Sequence, residues 1–315
     1  MRNQILLALS FLVSSWTHVF PQAAWNPYER QLFVRPVAIA SRYNSAFLSD
    51  KLAKYDETVH VNTGFVTLEY GITDNWAVDG TVGFGRLTGH QLLNRPWLQS
   101  PRVENKHGTT DGRFGIRYKI SDEFLSEYSW MPTLTVRVGA IHKGDYDRMP
   151  QALGDGASGW EANLYWAKDF NFWGLGTYGE AGYRVREKPV PEDVLYGWGF
   201  YKRFFESFLA IVGGRGQIGQ GGYAFADPRG EPPFNLFNVD TSRFQIGEIN
   251  LVELYIETKR PPWGRREDFH TLEAGIGYTD RYGNFYYLWG SQVVSGYNTA
   301  RLTSIGFMIN FPFYL

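Results

Sequence analysis

Over its last eleven residues the chain alternates strictly: Ile305, Phe307, Ile309, Phe311, Phe313 and Leu315 take every second position, with Ser304, Gly306, Met308 and Asn310 filling most places between. A strand turns successive side chains to opposite faces, so this pattern builds one apolar stripe. Two settings bury such a stripe, the edge of a soluble sandwich and the hydrocarbon of a bilayer. From about Gln31 onward the same period of two recurs in segments of roughly ten residues, and no helical period competes over a long stretch.

The segments read as hairpins. Leu32 to Ile39 forms the first strand. Val66, Leu68 and Tyr70 share one face, as do Val78, Val82 and Phe84 of the next strand, with Thr67, Glu69, Asp79 and Thr81 opposite. Phe114, Ile116, Tyr118 and Ile120 alternate with Arg113, Arg117 and Lys119; Leu134, Val136 and Val138 alternate with Thr135 and Arg137. Trp160, Ala162, Leu164 and Trp166 alternate with Glu161 and Asn163, and a turn at Asn171 leads into Trp173 to Arg186. Tyr196, Trp198 and Phe200 turn near Glu206 into Leu209 to Gln217. Val252, Leu254 and Ile256 alternate with Glu253 and Glu257, Leu272 to Tyr278 with Glu273, and Phe285 to Val293 precedes the closing strand.

Composition separates the two settings. Beyond Val13 no run of eighteen apolar residues exists, so the chain cannot cross a bilayer as a helix; it crosses as strands closed into a barrel or not at all. The mean hydropathy of −0.32 suits a barrel, in which half of each strand faces a polar lumen. Aromatics make up 17%, with 11 Trp, 20 Tyr and 23 Phe beside 35 Gly, a supply that interfacial girdles and tight turns consume. Arg2 to Val13 reads as a short positive start and an apolar core of signal-peptide length, with cleavage expected after Ala24. The expected organisation is a signal at 1–24 and a barrel over 25–315. With no cysteine, neither lipid acylation nor disulfide stapling applies. The net charge of −1 leaves no basic footprint for nucleic acid.

The fold class expected is therefore all-β, a transmembrane antiparallel barrel of the bacterial outer membrane. Long segments at Leu87 to Gly108, Gly144 to Gly156 and Ile218 to Arg243 alternate with short turns at Thr73, Asn171 and Glu206, which places the long ones outside the cell. The segments count thirteen. Both termini in the periplasm demand an even number, so twelve strands are expected, with the surplus segment after Arg243 and fourteen as the alternative. The stripe Ile305, Phe307, Ile309, Phe311, Phe313 and Leu315 is the expected signal for the barrel-assembly machinery, although such strands normally end in Phe and this one ends in Leu315.

The Tyr-Gly-Ile-Thr-Asp-Asn-Trp turn at 70 to 76, the Gly-Tyr-Thr-Asp turn at 277 to 280 and the closing strand resemble a family of outer-membrane transporters linked to degradation of phenol-like aromatics, distantly akin to the FadL and TodX hydrocarbon channels. The resemblance implies a channel or transporter for small organic solutes, aromatic or hydrophobic ones among them. FadL-type channels carry an N-terminal hatch; here Trp25 to Asp56 is short and partly strand-like, which argues against one.

Opposite the apolar stripes stand Arg113, Arg117, Lys119, Arg137, Arg184, Arg186, Arg203 and Arg215 against Glu69, Asp79, Glu161, Glu180, Glu253, Glu257 and Glu273. Inside a barrel these charges are paired or in water. They build either an ionic ladder that holds the wall or a channel lining in which basic 113 to 137 faces acidic 253 to 273, with Arg113, Arg117 and Arg137 as one positive patch. Twelve strands about 4.8 Å apart and tilted about 40° give a backbone diameter near 24 Å and a passage of roughly 10 Å. A membrane-embedded enzyme is the rival class, and a closed structural or adhesive barrel another. His60, His90, His107, His142 and His270 are the mature histidines, but neither a Gly-x-Ser-x-Gly elbow nor a His-Glu-x-x-His pair accompanies them, so no catalytic residue, metal or cofactor is expected. The partners expected are the bilayer, lipopolysaccharide, the assembly machinery and a small-molecule solute.

Overall fold

The fold was read from a computed structural model. It describes residues 24–48, 51–89, 106–146, 153–154, 156–170, 173–188, 190–205, 207–221, 245–246, 249–250, 266–297 and 299–315. Twelve long strands form the wall: β1 Gln31–Leu48, β2 Lys51–Gly71, β3 Trp76–Thr88, β4 Gly112–Ser121, β5 Thr133–His142, β6 Gly159–Asp169, β7 Leu175–Arg186, β8 Glu192–Phe204, β9 Phe208–Gln220, β10 Asp268–Thr279, β11 Phe285–Tyr297 and β12 Thr303–Tyr314. Each pairs antiparallel with its neighbours, and β1 closes the ring by pairing with both β2 and β12. Two rim pieces extend the same sheet, Lys106–Thr109 on β3 and Thr299–Ala300 on β1.

The first strand runs well past Ile39, since alternation continues to Asn44 and pairing with β2 resumes beyond a bulge and runs to Leu48. The strand count resolves at twelve. β9 pairs directly with β10, from Phe208 with Tyr278 to Ile218 with Asp268, which leaves no place in the wall for a stave between them. The segment containing Glu253 and Glu257 lies outside the described residues.

Outward positions carry the lipid-facing surface. Leu68, Val82, Phe84, Phe114, Ile116, Val138, Phe200, Val212, Leu272, Ile276 and Leu288 are exposed apolar side chains, and on β12 Ile305 is 64% and Phe307 43% exposed. Such a belt is stable only against hydrocarbon, and it identifies the bacterial outer membrane as the barrel's setting. Trp76 and Tyr118 touch with ring centres 4.7 Å apart, and Phe208 and Tyr278 at 5.0 Å, at the end that carries the termini. They belong to the periplasmic girdle.

Turn chemistry fixes the register at that end. Thr73 Oγ1 accepts from the amides of Asn75 and Trp76 at 3.3 and 3.0 Å. The Asp280 carboxylate accepts from the Tyr282 and Asn284 amides at 2.8 and 3.0 Å and from Asn284 Nδ2 at 2.8 Å. Desolvation works against the charge of Asp280, but these bonds outweigh it and hold its pKa below the usual carboxylate value.

The register sets depth on β12, since Phe307 pairs with Ala38 near the middle of β1 and Phe313 with Leu32 at its periplasmic start. Phe307→Arg is expected to cost about 2–4 kcal/mol and Phe313→Arg about 0–1 kcal/mol. Urea unfolding from liposomes measures both; equal costs would contradict this placement of the strand in the bilayer.

Candidate functional site in the barrel lumen

Followed around the wall, the hydrogen-bond register joins Glu69, Asp79, Gly115, Gly139, Glu161, Arg184 and Asp193 into one row across β2 to β8. Strand tilt makes the row climb. Glu69 sits near the periplasmic end of β2 and Asp193 near the extracellular end of β8.

The two glycines make room for Arg137. A Cβ on Gly115 would come within 2.8 Å of the Arg137 guanidinium, and one on Gly139 within 2.9 Å. Lying against this bare backbone, Arg137 donates to Asp79 through Nε at 2.8 Å and Nη2 at 2.7 Å, and to Glu161 through Nη1 at 2.6 Å. Glu161 also meets Arg184 Nε at 3.3 Å and Arg113 Nη1 at 3.5 Å. Glu69 accepts two bonds from Arg35, at 2.6 and 2.8 Å, and one ion pair from Arg117 at 3.0 Å. Asp193 takes Arg186 and Gln217, Glu180 takes Asn163 Nδ2 at 2.6 Å, and Arg215 lies 3.9 Å from Glu273.

The inward charges thus form a ladder. Arg113, Arg117 and Arg137 make no common positive patch, because carboxylates are interleaved with them. Arg184 and Glu161 are 0% exposed, so this part of the ladder is shielded from water. Sequence reading missed Arg35, Asp193, Asp169 and Glu123. The parity that Arg35 shares with the buried Val37 and Ile39 was the available signal.

The lumen also holds a cluster of rings. Phe285, Tyr287 and Trp289 stack down β11 with centres 6.2 and 5.2 Å apart and planes within 16° and 13°. Tyr178 lies flat over Gly199, where a Cβ would come within 2.2 Å of its ring. These rings belong to one buried cluster with Val37, Ile39 and Met308 and with Tyr165, Ala167, Tyr201 and Ile211. Arg117 lies over Tyr165 at 5.6 Å, joining the ladder to the rings. Tyr178 Oη in this cluster, and Asn163 Oδ1 and Gln217 Oε1 in the ladder, are buried polar atoms with no hydrogen-bond partner.

Two short segments meet this filled interior from either end. At the periplasmic end Thr135 Oγ1 donates to the Ala24 carbonyl at 2.6 Å, Trp25 Nε1 donates to Thr133 Oγ1 at 3.1 Å, and Asn26 Nδ2 donates to the Asn75 carbonyl at 2.9 Å. Trp25 also stacks on Phe124 at 6.4 Å. Residues 24–30 therefore form a strap that reaches from β1 to the foot of β5. At the extracellular end Leu153, 1% exposed, packs among Tyr43, Val59, Val61, Leu87, Val293 and Leu302. Its loop is pinned by Tyr146, whose hydroxyl donates to Asp111 Oδ1 at 2.6 Å and accepts from the Gly156 amide at 2.5 Å. Burial and the neighbouring Asp111 carboxylate push the Tyr146 pKa far up, so it stays a neutral donor.

His60, His107 and His142 sit on the exposed outer rim, His270 is beside Tyr196, and His90 lies outside the described residues. Among the described residues, no group of three or more His, Cys, Asp or Glu could hold a metal ion.

A closed antiparallel ring of twelve strands, belted with lipid-facing aromatics and aliphatics, defines a transmembrane barrel of the outer-membrane channel fold. The COG4313 outer membrane channel from Pseudomonas putida F1 superposes with a TM-score of 0.64 over 94% of this chain and 100% of that one, at 13% identity. The translocator domain of the autotransporter NalP from Neisseria meningitidis (TM-score 0.46, 9% identity, 90% and 88% coverage) and the Pseudomonas putida toluene transporter TodX (0.41, 8%, 99% and 97%) are more distant. No protein-family model and no curated protein sequence matches the chain.

Removing one member of a buried ion pair strands its partner. Arg137→Ala is expected to cost about 3–5 kcal/mol, and a double-mutant cycle with Asp79→Ala should show strong coupling. A cost within the range of ordinary surface changes would mean that Arg137 is solvated.

Proposed function

We propose that this barrel is an outer-membrane channel for small organic solutes that have a flat apolar face and a polar edge. The observation that carries the reading is the presence in one lumen of two unlike linings, the stacked Phe285–Tyr287–Trp289 ladder and the climbing ionic row. Stacked rings offer a moving solute a series of equivalent apolar contacts, and guanidiniums and carboxylates offer hydrogen bonds along its other edge. The unpartnered atoms of Tyr178, Asn163 and Gln217 support the same reading, because a buried polar atom without a protein partner calls for water or a ligand.

In this reading opening needs only the release of the strap at residues 25–30 and the swing of a few rings and arginines, since the wall itself is complete without them. Conversion of Glu69, Asp79, Glu161, Glu180 or Glu273 into a catalytic group has no support in the site, which presents no nucleophile with an adjacent base. A closed structural barrel is the competing reading, favoured by the size of the buried cluster of rings. It leaves the buried charges without a use, as apolar packing of equal volume would be at least as stable.

Thr133→Val removes the bond by which Trp25 holds the strap while leaving side-chain volume nearly unchanged. In planar bilayers this variant is expected to conduct in long openings where the parent protein opens rarely, and to admit phenol-sized solutes into proteoliposomes faster. If both proteins stay equally silent and impermeable although correctly folded, the structural reading replaces the channel.

A further inference from the structure

Toward the extracellular end of the lumen, three buried side chains keep polar atoms that no protein group hydrogen-bonds. Arg184 on β7, Asn163 on β6 and Gln217 on β9 are 0, 4 and 2% exposed. Arg184 bonds Glu161 through Nε at 3.3 Å, but both of its Nη nitrogens lack a hydrogen-bond partner, as do Asn163 Oδ1 and Gln217 Oε1. A guanidinium buried with its fork unused is costly unless water or a ligand takes the fork.

The register brings the three together. Asn163 pairs with Gly182 on β7, Gly182 with Leu195 on β8, and Leu195 with Gln217 on β9, while Arg184 is the next inward residue above Gly182. Because Gly182 has no side chain, the Asn163 amide lies over it; a Cβ there would come within 2.5 Å of Asn163 Nδ2. Asp193 ties the other side, accepting from Gln217 Nε2 at 3.0 Å through one oxygen and lying 3.9 Å from Arg184 Nη1 through the other. The buried Leu195 stands between the two amides in this row.

The free atoms define what fits them. Asn163 Nδ2 donates to Glu180 and Gln217 Nε2 to Asp193, so carboxylates fix the orientation of both amides and leave only acceptor oxygens free. Arg184 offers only donors. An occupant must therefore accept from a guanidinium and donate to an amide oxygen, which a hydroxyl does with one atom. An anion fits badly, since Glu161, Glu180 and Asp193 already surround the site and a further carboxylate would meet like charge and two acceptors.

Resting on the channel reading above, we propose that Arg184, Asn163 and Gln217 form an entry subsite that reads the hydroxyl groups of neutral, flat solutes and turns away carboxylates of the same size. The rings lie deeper. Tyr178 is six residues from Arg184 along β7, roughly 15 Å down at about 3.3 Å per residue and about 40° of tilt. A solute coming from outside exchanges the hydration of its hydroxyls for these bonds before its ring reaches Tyr178.

The test titrates the full barrel in detergent micelles with resorcinol, resorcinol dimethyl ether and benzoate, by calorimetry against empty micelles. Resorcinol, donor and acceptor at once, is expected to bind at least about 5-fold tighter than the diether, which only accepts, and benzoate should bind weakest. Gln217→Met removes one free acceptor while Asp193 keeps Arg186, so resorcinol binding should fall about 5-fold and diether binding should hold. A merely structural role for Gln217 would move both alike. Heat-modifiable migration on a gel checks folding, and if the variant does not fold, the three probes on the unaltered barrel decide. Tightest binding of benzoate would make this an anion site, and equal affinities or none would leave it to water; either result overturns the proposal. Liposome swelling with resorcinol separates the two readings. A barrel that binds resorcinol but never passes it loses the channel, whereas one that passes solutes and binds all three probes alike keeps the channel and loses the subsite.

Discussion

Everything inside this barrel depends on how the Glu161 carboxylate is satisfied. It is wholly buried in the wall of a membrane protein and meets Arg137, Arg184 and Arg113 within 3.5 Å. An isolated carboxylate there would cost far more than the fold can spare, so three guanidiniums must converge on it. Their convergence sets local sequence: Gly115 and Gly139 must lack side chains so that Arg137 can lie flat between Asp79 and Glu161. The ladder then propagates through Arg184 to Asp193 and Arg186.

The ladder locks its arginines against the wall by two or three partners each, beside a buried cluster of rings that includes Tyr165 and Tyr201. Among the described residues the strap with Trp25 lies at one end of the lumen and Leu153 at the other. Strong pairs fix the wall and weak contacts close the ends, the division expected of a channel that opens without remodelling its barrel.

The fold was largely legible because a barrel writes itself in a period of two. The outward faces, the turn at 70 to 76, the turn at 277 to 284 and the closing strand could each be read from local pattern. Strand number was harder, since the segment with Val252, Leu254 and Ile256 has the same period as true staves and only the direct pairing of β9 with β10 excludes it from the wall. For the lumen, parity found the inward charges but not their partners. Pairing depends on register between strands distant in sequence, as when Arg35 bonds Glu69 and Asn310 together. The residual bore was not legible at all, because it is set by how far the Tyr, Trp and Arg side chains lean inward.

The central claim is that the resting lumen is filled by the protein's own side chains and holds no continuous water column. The chain has no cysteine, so a single thiol introduced by Ser291→Cys, on the buried inner face of β11, reports on that lumen alone. The account predicts that a small charged thiol reagent labels this position far more slowly than a thiol on an exposed loop of the same barrel. Labelling at the rate of a free thiol would show a water-filled pore and contradict it.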